Sequence, residues 1–129
     1  MTSKLLAKKI SKLSLEKKAE DVAILDIRKL TTMADYFVIC SANSINQVKS
    51  IADHIVDEVK KIGEFATQRE GYAVGSWIII DLFDVVVHVF LEETRNYYNL
   101  EKLWSDAKKE IITDKIKPKK SKLVRVKKG

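Results

Sequence analysis

The stretch WIIIDLFDVVVHVF, residues 77–90, decides the fold. Trp77–Asp81 and Val85–Phe90 are runs of β-branched and aromatic residues, the composition that a pleated, half-buried surface accepts. Leu82, Phe83 and Asp84 between them leave room only for an antiparallel return, because a parallel one needs about a dozen residues or more. Alternation then places Trp77, Ile79 and Asp81 on one face of a hairpin and Ile78 and Ile80 on the other. In the second strand Val86, His88 and Phe90 likewise oppose Val85, Val87 and Val89. Extended to Val74–Leu91, this is also the apolar window of membrane-spanning length. Asp81 and Asp84 inside it cost roughly 2.5–3.5 kcal/mol each at a bilayer centre, so strand–turn–strand in water is the better reading.

Working upstream, residues 3–18 read as an amphipathic helix with Leu6, Ile10 and Leu13 on one side and Lys around them. DVAILDI, 21–27, and YFVICS, 36–41, read as buried strands, with 28–35 a connection. Residues 43–63 are the clearest helix. Ser44 and Gln47 have the spacing of a capping box, in which the Gln side chain reaches back to the cap. Ile45, Val48, Ile51, Ala52, Ile55, Val59 and Ile62 mark its apolar stripe, and Gly63 sits where a left-handed stop is wanted. Residues 64–69 form a weak strand candidate and 70–76 a loop.

Downstream, 92–112 reads as helix broken near Asn99, with Leu100, Leu103, Trp104, Ala107 and Ile111 as its stripe. The expected fold is a single layered α/β domain, residues 1–114, with a mixed sheet of about five strands and flanking helices. Residues 115–129, with Pro118 and repeated Lys, read as a solvated, disordered basic tail.

The formal charge of +6 over 129 residues is unevenly spread. Residues 1–18 hold six Lys and only Glu16 as an acid, and 115–129 hold eight basic residues and no acid. Between them lie 10 basic and 17 acidic residues. A basic protein by count is thus an acidic body with basic ends. That distribution argues against nucleic acid docking on the body and suits a basic protein partner. The tail offers cations for phosphate backbone without sequence readout, or solubility alone. No signal-peptide pattern opens the chain, residues 1–18 lack the Arg of a transit peptide, and one Cys fits a reducing compartment, so the cytoplasm is expected.

Catalytic signals are weak. Cys40 lies within a strand and reads as a small core residue. One Cys and two distant His fall short of the four ligands of a structural zinc site. Neither GxxxxGK[ST] nor GxGxxG occurs. Asp81 and Asp84 resemble a metal-binding pair, but Asp in a tight turn more commonly serves the backbone. Trp77 on a sheet face rimmed by Asp is either a protein-binding anchor or ordinary core, and periodicity leaves both open.

The blocks LEKKAEDVAILDI (15–27), ADYFVICSANSINQVKSIAD (34–53), EGYAVGSWIIIDLFDVVVHVF (70–90) and YNLEKLW (98–104) together resemble the ribosomal silencing factor, or Iojap-like, family. The resemblance covers roughly residues 15–107. It implies a translation repressor that binds the large ribosomal subunit through its fourteenth protein and sterically blocks joining of the small subunit. It implies a fold similar to nucleotidyltransferases without their catalytic apparatus, and a homodimer when free. Where those enzymes carry Gly-Ser, this chain reads Ala42-Asn43-Ser44, so no enzyme, cofactor or metal is expected. The partner-binding residues expected from the matched hairpin are Trp77 as anchor, Leu82 and Val85 as apolar contacts, Asp81, Asp84 and His88 as orienting groups, and Glu70 at the margin. The competing readings are a divergent nucleotidyltransferase and a small RNA-binding protein using its basic ends, with 115–129 touching ribosomal RNA.

Overall fold

A computed structural model describes residues 1–113; the basic tail lies outside them. Ser44 caps helix α2, Ile45–Lys61, by accepting the Gln47 N–H at 3.2 Å. Gln47 does not complete the reciprocal half of the box. Its amide instead donates to the carbonyls of Lys17 and Lys18, at 3.3 and 3.1 Å. Those two carbonyls follow helix α1, Ser3–Glu16, so the side chain ties the end of one helix to the start of the other. Gly63, at φ +85°, follows α2 in the left-handed region as expected. Val48, Ile51, Ala52, Ile55 and Val59 are buried, whereas Ile45 and Ile62, at the ends of the expected stripe, are exposed.

The strands are β1 (Glu20–Asp26), β2 (Tyr36–Ala42), β3 (Gln68–Glu70), β4 (Trp77–Asp81), β5 (Val85–Leu91) and β6 (Lys108–Ile112). They form one six-stranded sheet in the order β3-β4-β5-β2-β1-β6. Among the described residues only the central β2–β5 pair is parallel. A parallel return needs a long crossover, and α2 with β3 and β4 supplies it. Both α1 and α2 pack on one face, over Val22, Ile24, Val38, Cys40, Ile78, Ile80, Val85, Val87 and Val89. The opposite face carries a smaller cluster of Leu25, Ile27, Phe37, Ile39 and Phe90.

The C-terminal segment departs from expectation. The helix read over 92–112 is two short helices, α3 (Glu92–Tyr98) and α4 (Leu100–Leu103), followed by a turn and β6. Asn99 makes the break in the left-handed region at φ 48° and caps α4 with its side chain. Strand β6 forms because β1 otherwise leaves an unpaired edge, and Lys108–Ile112 lies antiparallel along it from Asp26 to Val22. Leu100, Trp104 and Ala107 of the expected stripe do pack, against the smaller cluster. Leu103 and Ile111 are 76% and 60% exposed, since the helix that was to unite them does not form. The sixth strand is the added element relative to the expected sheet of about five.

Candidate functional site

The β4–β5 hairpin pairs Trp77 with Phe90, Ile79 with His88 and Asp81 with Val86. These six side chains share the face away from α1 and α2, as alternation requires. The α3–α4 segment covers the neighbouring Phe37, whose ring meets Trp104 edge-on at 5.4 Å. It touches β4 at Trp77, through Tyr98, and leaves much of that strand's face uncovered. Trp77, Ile79, Asp81 and Val86 are therefore only half-buried. The result is a partly open strip of sheet with an aromatic end.

Trp77 is held at that end on several sides. Its ring stacks on Phe90 at 4.9 Å between centroids and meets the half-exposed Tyr98 at 5.0 Å. Its indole N–H donates to Nδ1 of His88 at 3.1 Å. Indole is a donor only, so the proton of the neutral His88 ring resides on Nε2. That Nε2 is buried and has no hydrogen-bond partner among the described residues. An orphaned buried donor of this kind costs about 1–3 kcal/mol. Burial also pushes the pKa of His88 down to about 4, so the ring is neutral at physiological pH.

The other end of the strip is the turn. Phe83 adopts φ 73°, is 75% exposed, and donates its N–H to the Asp81 carboxylate at 2.8 Å. The Asp84 carbonyl accepts from the N–H groups of Asp35 and Tyr36, at 2.8 and 3.2 Å, which fixes the turn to the start of β2. Asp81 thus combines turn chemistry with a position on the open face.

The structure divides the seven expected residues. Trp77 and Asp81 lie on the open strip, Asp84 is exposed in the turn and Glu70 is exposed on the edge strand β3. Leu82 and Val85, expected as apolar contacts, are buried at 4% and 0% exposure. They point to the helix-covered core, because the turn reverses the chain with Phe83, not Leu82, at its tip. His88, expected to orient a partner, lies inside and faces Trp77. Residues missed by sequence reasoning are Phe83 at the turn and Tyr98 against Trp77, both large and exposed. For Phe83 a signal existed: the middle residue of a three-residue hairpin connection has no core to enter.

Behind the aromatic end, Arg95 of α3 is 8% exposed and holds Glu101 of α4 through two bonds, at 3.0 and 2.9 Å. It also donates to the Asp21 carbonyl at 2.7 Å and to the Ser41 hydroxyl at 3.1 Å. Lys109 of β6 reaches Glu101 at 2.8 Å. Burial alone pushes the Glu101 pKa up, but the Arg95 and Lys109 hydrogen bonds outweigh it and bring it to about 2. This clamp joins α3, α4, β1, β2 and β6 and so fixes the segment that carries Tyr98. Cys40 is fully buried and its thiol is pushed up to about 12 by that burial, the setting of a core residue rather than a nucleophile. Among the described residues no three His, Cys, Asp or Glu converge in a metal-holding group.

The sequence profile described as "Ribosomal silencing factor during starvation" matches residues 1–128. The chain belongs to the ribosomal silencing factor family. Ribosomal silencing factor RsfS of Bacillus subtilis is 48% identical over 92 residues, 71% of this chain and 78% of that protein. Its counterpart in Chromobacterium violaceum is 35% identical over 113 residues, 84% of this chain and 93% of that protein. A crystal structure of a Chromobacterium violaceum protein superposes with a TM-score of 0.80 at 31% identity, covering 92% of this chain and 98% of that one. The silencing-factor family is named for a regulatory role rather than for an enzymatic one. Among the described residues no helix is long and apolar enough to cross a membrane.

Proposed function

We propose that this silencing factor represses translation by binding the large ribosomal subunit through its fourteenth protein and blocking, by bulk alone, the approach of the small subunit. The observation that carries the docking half is the open strip on β4–β5, with Trp77 half-buried at one end, Phe83 exposed at the other, and Asp81 and Asp84 beside it. Aromatic anchors within an apolar strip are where binding energy concentrates, and an acidic rim favours a basic protein partner. The identity of that partner and a homodimer in the free state rest on the family resemblance, and a cytoplasmic setting on the composition read from the sequence. Steric occlusion needs no nucleotide, metal or turnover. The tail, 115–129, is proposed to add phosphate contacts to nearby ribosomal RNA, with a salt-dependent affinity.

Sedimentation of purified large and small subunits with the full chain tests this reading. Joined ribosomes should be lost and the chain should travel with the large subunit. Trp77→Ala and Phe83→Ala each weaken that binding by about tenfold or more, the range of an interface anchor. Undiminished joining at saturating protein refutes occlusion. Full affinity in both variants refutes the docking strip.

A further inference from the structure

We infer that His88 is the positioning residue of the docking strip: its Nδ1 takes the indole N–H of Trp77 and sets that ring in place before a partner arrives. The inference rests on the docking reading above. Trp77 lies between Phe90 and Tyr98, at 4.9 and 5.0 Å between centroids. Ring contacts of this kind tolerate sliding and in-plane rotation, whereas a hydrogen bond is directional. The 3.1 Å bond to His88 is therefore the contact that selects one orientation of the indole.

Apart from Trp77, the surroundings of His88 offer its ring nitrogens no hydrogen-bond partner among the described residues. On its face of the sheet its neighbours are Ile79, Val86, Phe90, Phe37 and Ile39. An apolar side chain fits such a place without leaving an orphaned Nε2–H. What only a hydrogen-bond acceptor supplies there is the grip on Trp77. A half-buried indole can send its N–H to water, so the bond serves orientation rather than satisfaction. Fixing an anchor in the free protein lowers the ordering cost of association.

The unmodified, uniformly ¹⁵N-labelled full chain gives the first test. The expected spectrum has a protonated Nε2 on His88 and a through-hydrogen-bond nitrogen–nitrogen coupling between Trp77 Nε1 and His88 Nδ1. Trp104→Phe identifies the Trp77 indole signal. The opposite tautomer, or no coupling, overturns the inference without any change at the site.

Affinity for purified large subunits is the second test. His88→Leu should accelerate exchange of the Trp77 indole N–H and weaken binding by about fivefold, the scale of a lost preorganised contact. His88→Asn, whose Oδ1 stands in for Nδ1, should restore both. If Trp77→Ala weakens binding and His88→Leu does not, docking stands and the positioning role falls. If Trp77→Ala binds as the parent does, the docking reading falls and takes this role with it.

Discussion

Mild acid should destabilise this protein through one buried ring. In the folded chain burial pushes His88 down to about 4, whereas in an unfolded chain it titrates near its ordinary value of 6.5. Between those two values the unfolded state binds a proton that the folded state refuses. Stability from the neutral ring is therefore fully present above pH 6.5, falls as pH drops toward 4, and falls no further below that. At about 1.36 kcal/mol per pH unit the interval is worth roughly 3 kcal/mol. Protonation would also remove the lone pair that holds the Trp77 indole. Urea denaturation at pH 7, 6, 5 and 4 reads the loss, as a midpoint lower by on the order of 2 M across the range. His88→Asn should abolish most of this dependence. An unchanged pH profile in His88→Asn would refute the reasoning, because the titrating group would then lie elsewhere.

Other substitutions probe how the site is built. A methyl group at Gly71 would stand 2.1 Å from the Trp77 carbonyl oxygen, and the residue has φ +81°. Gly63, at φ +85°, has open space instead, so Gly63→Ala should cost only the left-handed strain, about 1–2 kcal/mol. Gly71→Ala should cost clearly more in thermal unfolding and shift the Trp77 indole signal; equal losses would show that β4 yields freely there. Arg95→Met removes two of the bonds that hold Glu101 and leaves it Lys109, and should cost about 1–3 kcal/mol in urea unfolding, much of it recovered in Arg95→Met/Glu101→Gln. Additive losses in that double variant would exclude the clamp.

The sheet was legible where periodicity and turn length agreed. In WIIID and VVVHVF residues two apart share a face and adjacent ones lie on opposite faces, and a three-residue connection admits one pairing, so the hairpin and its faces follow from the residues. The α2 stripe and Gly63 were equally plain. The last strand was not, because KKEII is exposed along nearly its whole length and shows no apolar alternation, and its pairing partner, β1, lies far upstream. An edge strand of that length is decided by the vacancy it fills. At the site, Trp77 and Asp81 were readable from alternation. Leu82 and Phe83 were not correctly divided, since which residue of a short turn points outward depends on backbone dihedrals, here the positive φ of Phe83. The role of His88 required coordinates, because alternation places it beside Ile79 and says nothing of which ring atom meets which neighbour.

The pairing of β6 with β1 has a consequence for how the protein is made. Residues 108–112 meet residues 22–26, so the sheet joins nearly the first described segment to the last. Contacts so distant along the chain form late, after the closure of intervening segments. During synthesis, a chain halted before Lys108 has an open β1 edge, and Glu101 lacks the Lys109 partner that steadies the α3–α4 corner. Such a fragment is exposed to pairing with another strand. The sheet of this silencing-factor family member is therefore closed only after residues 108–112 have been made.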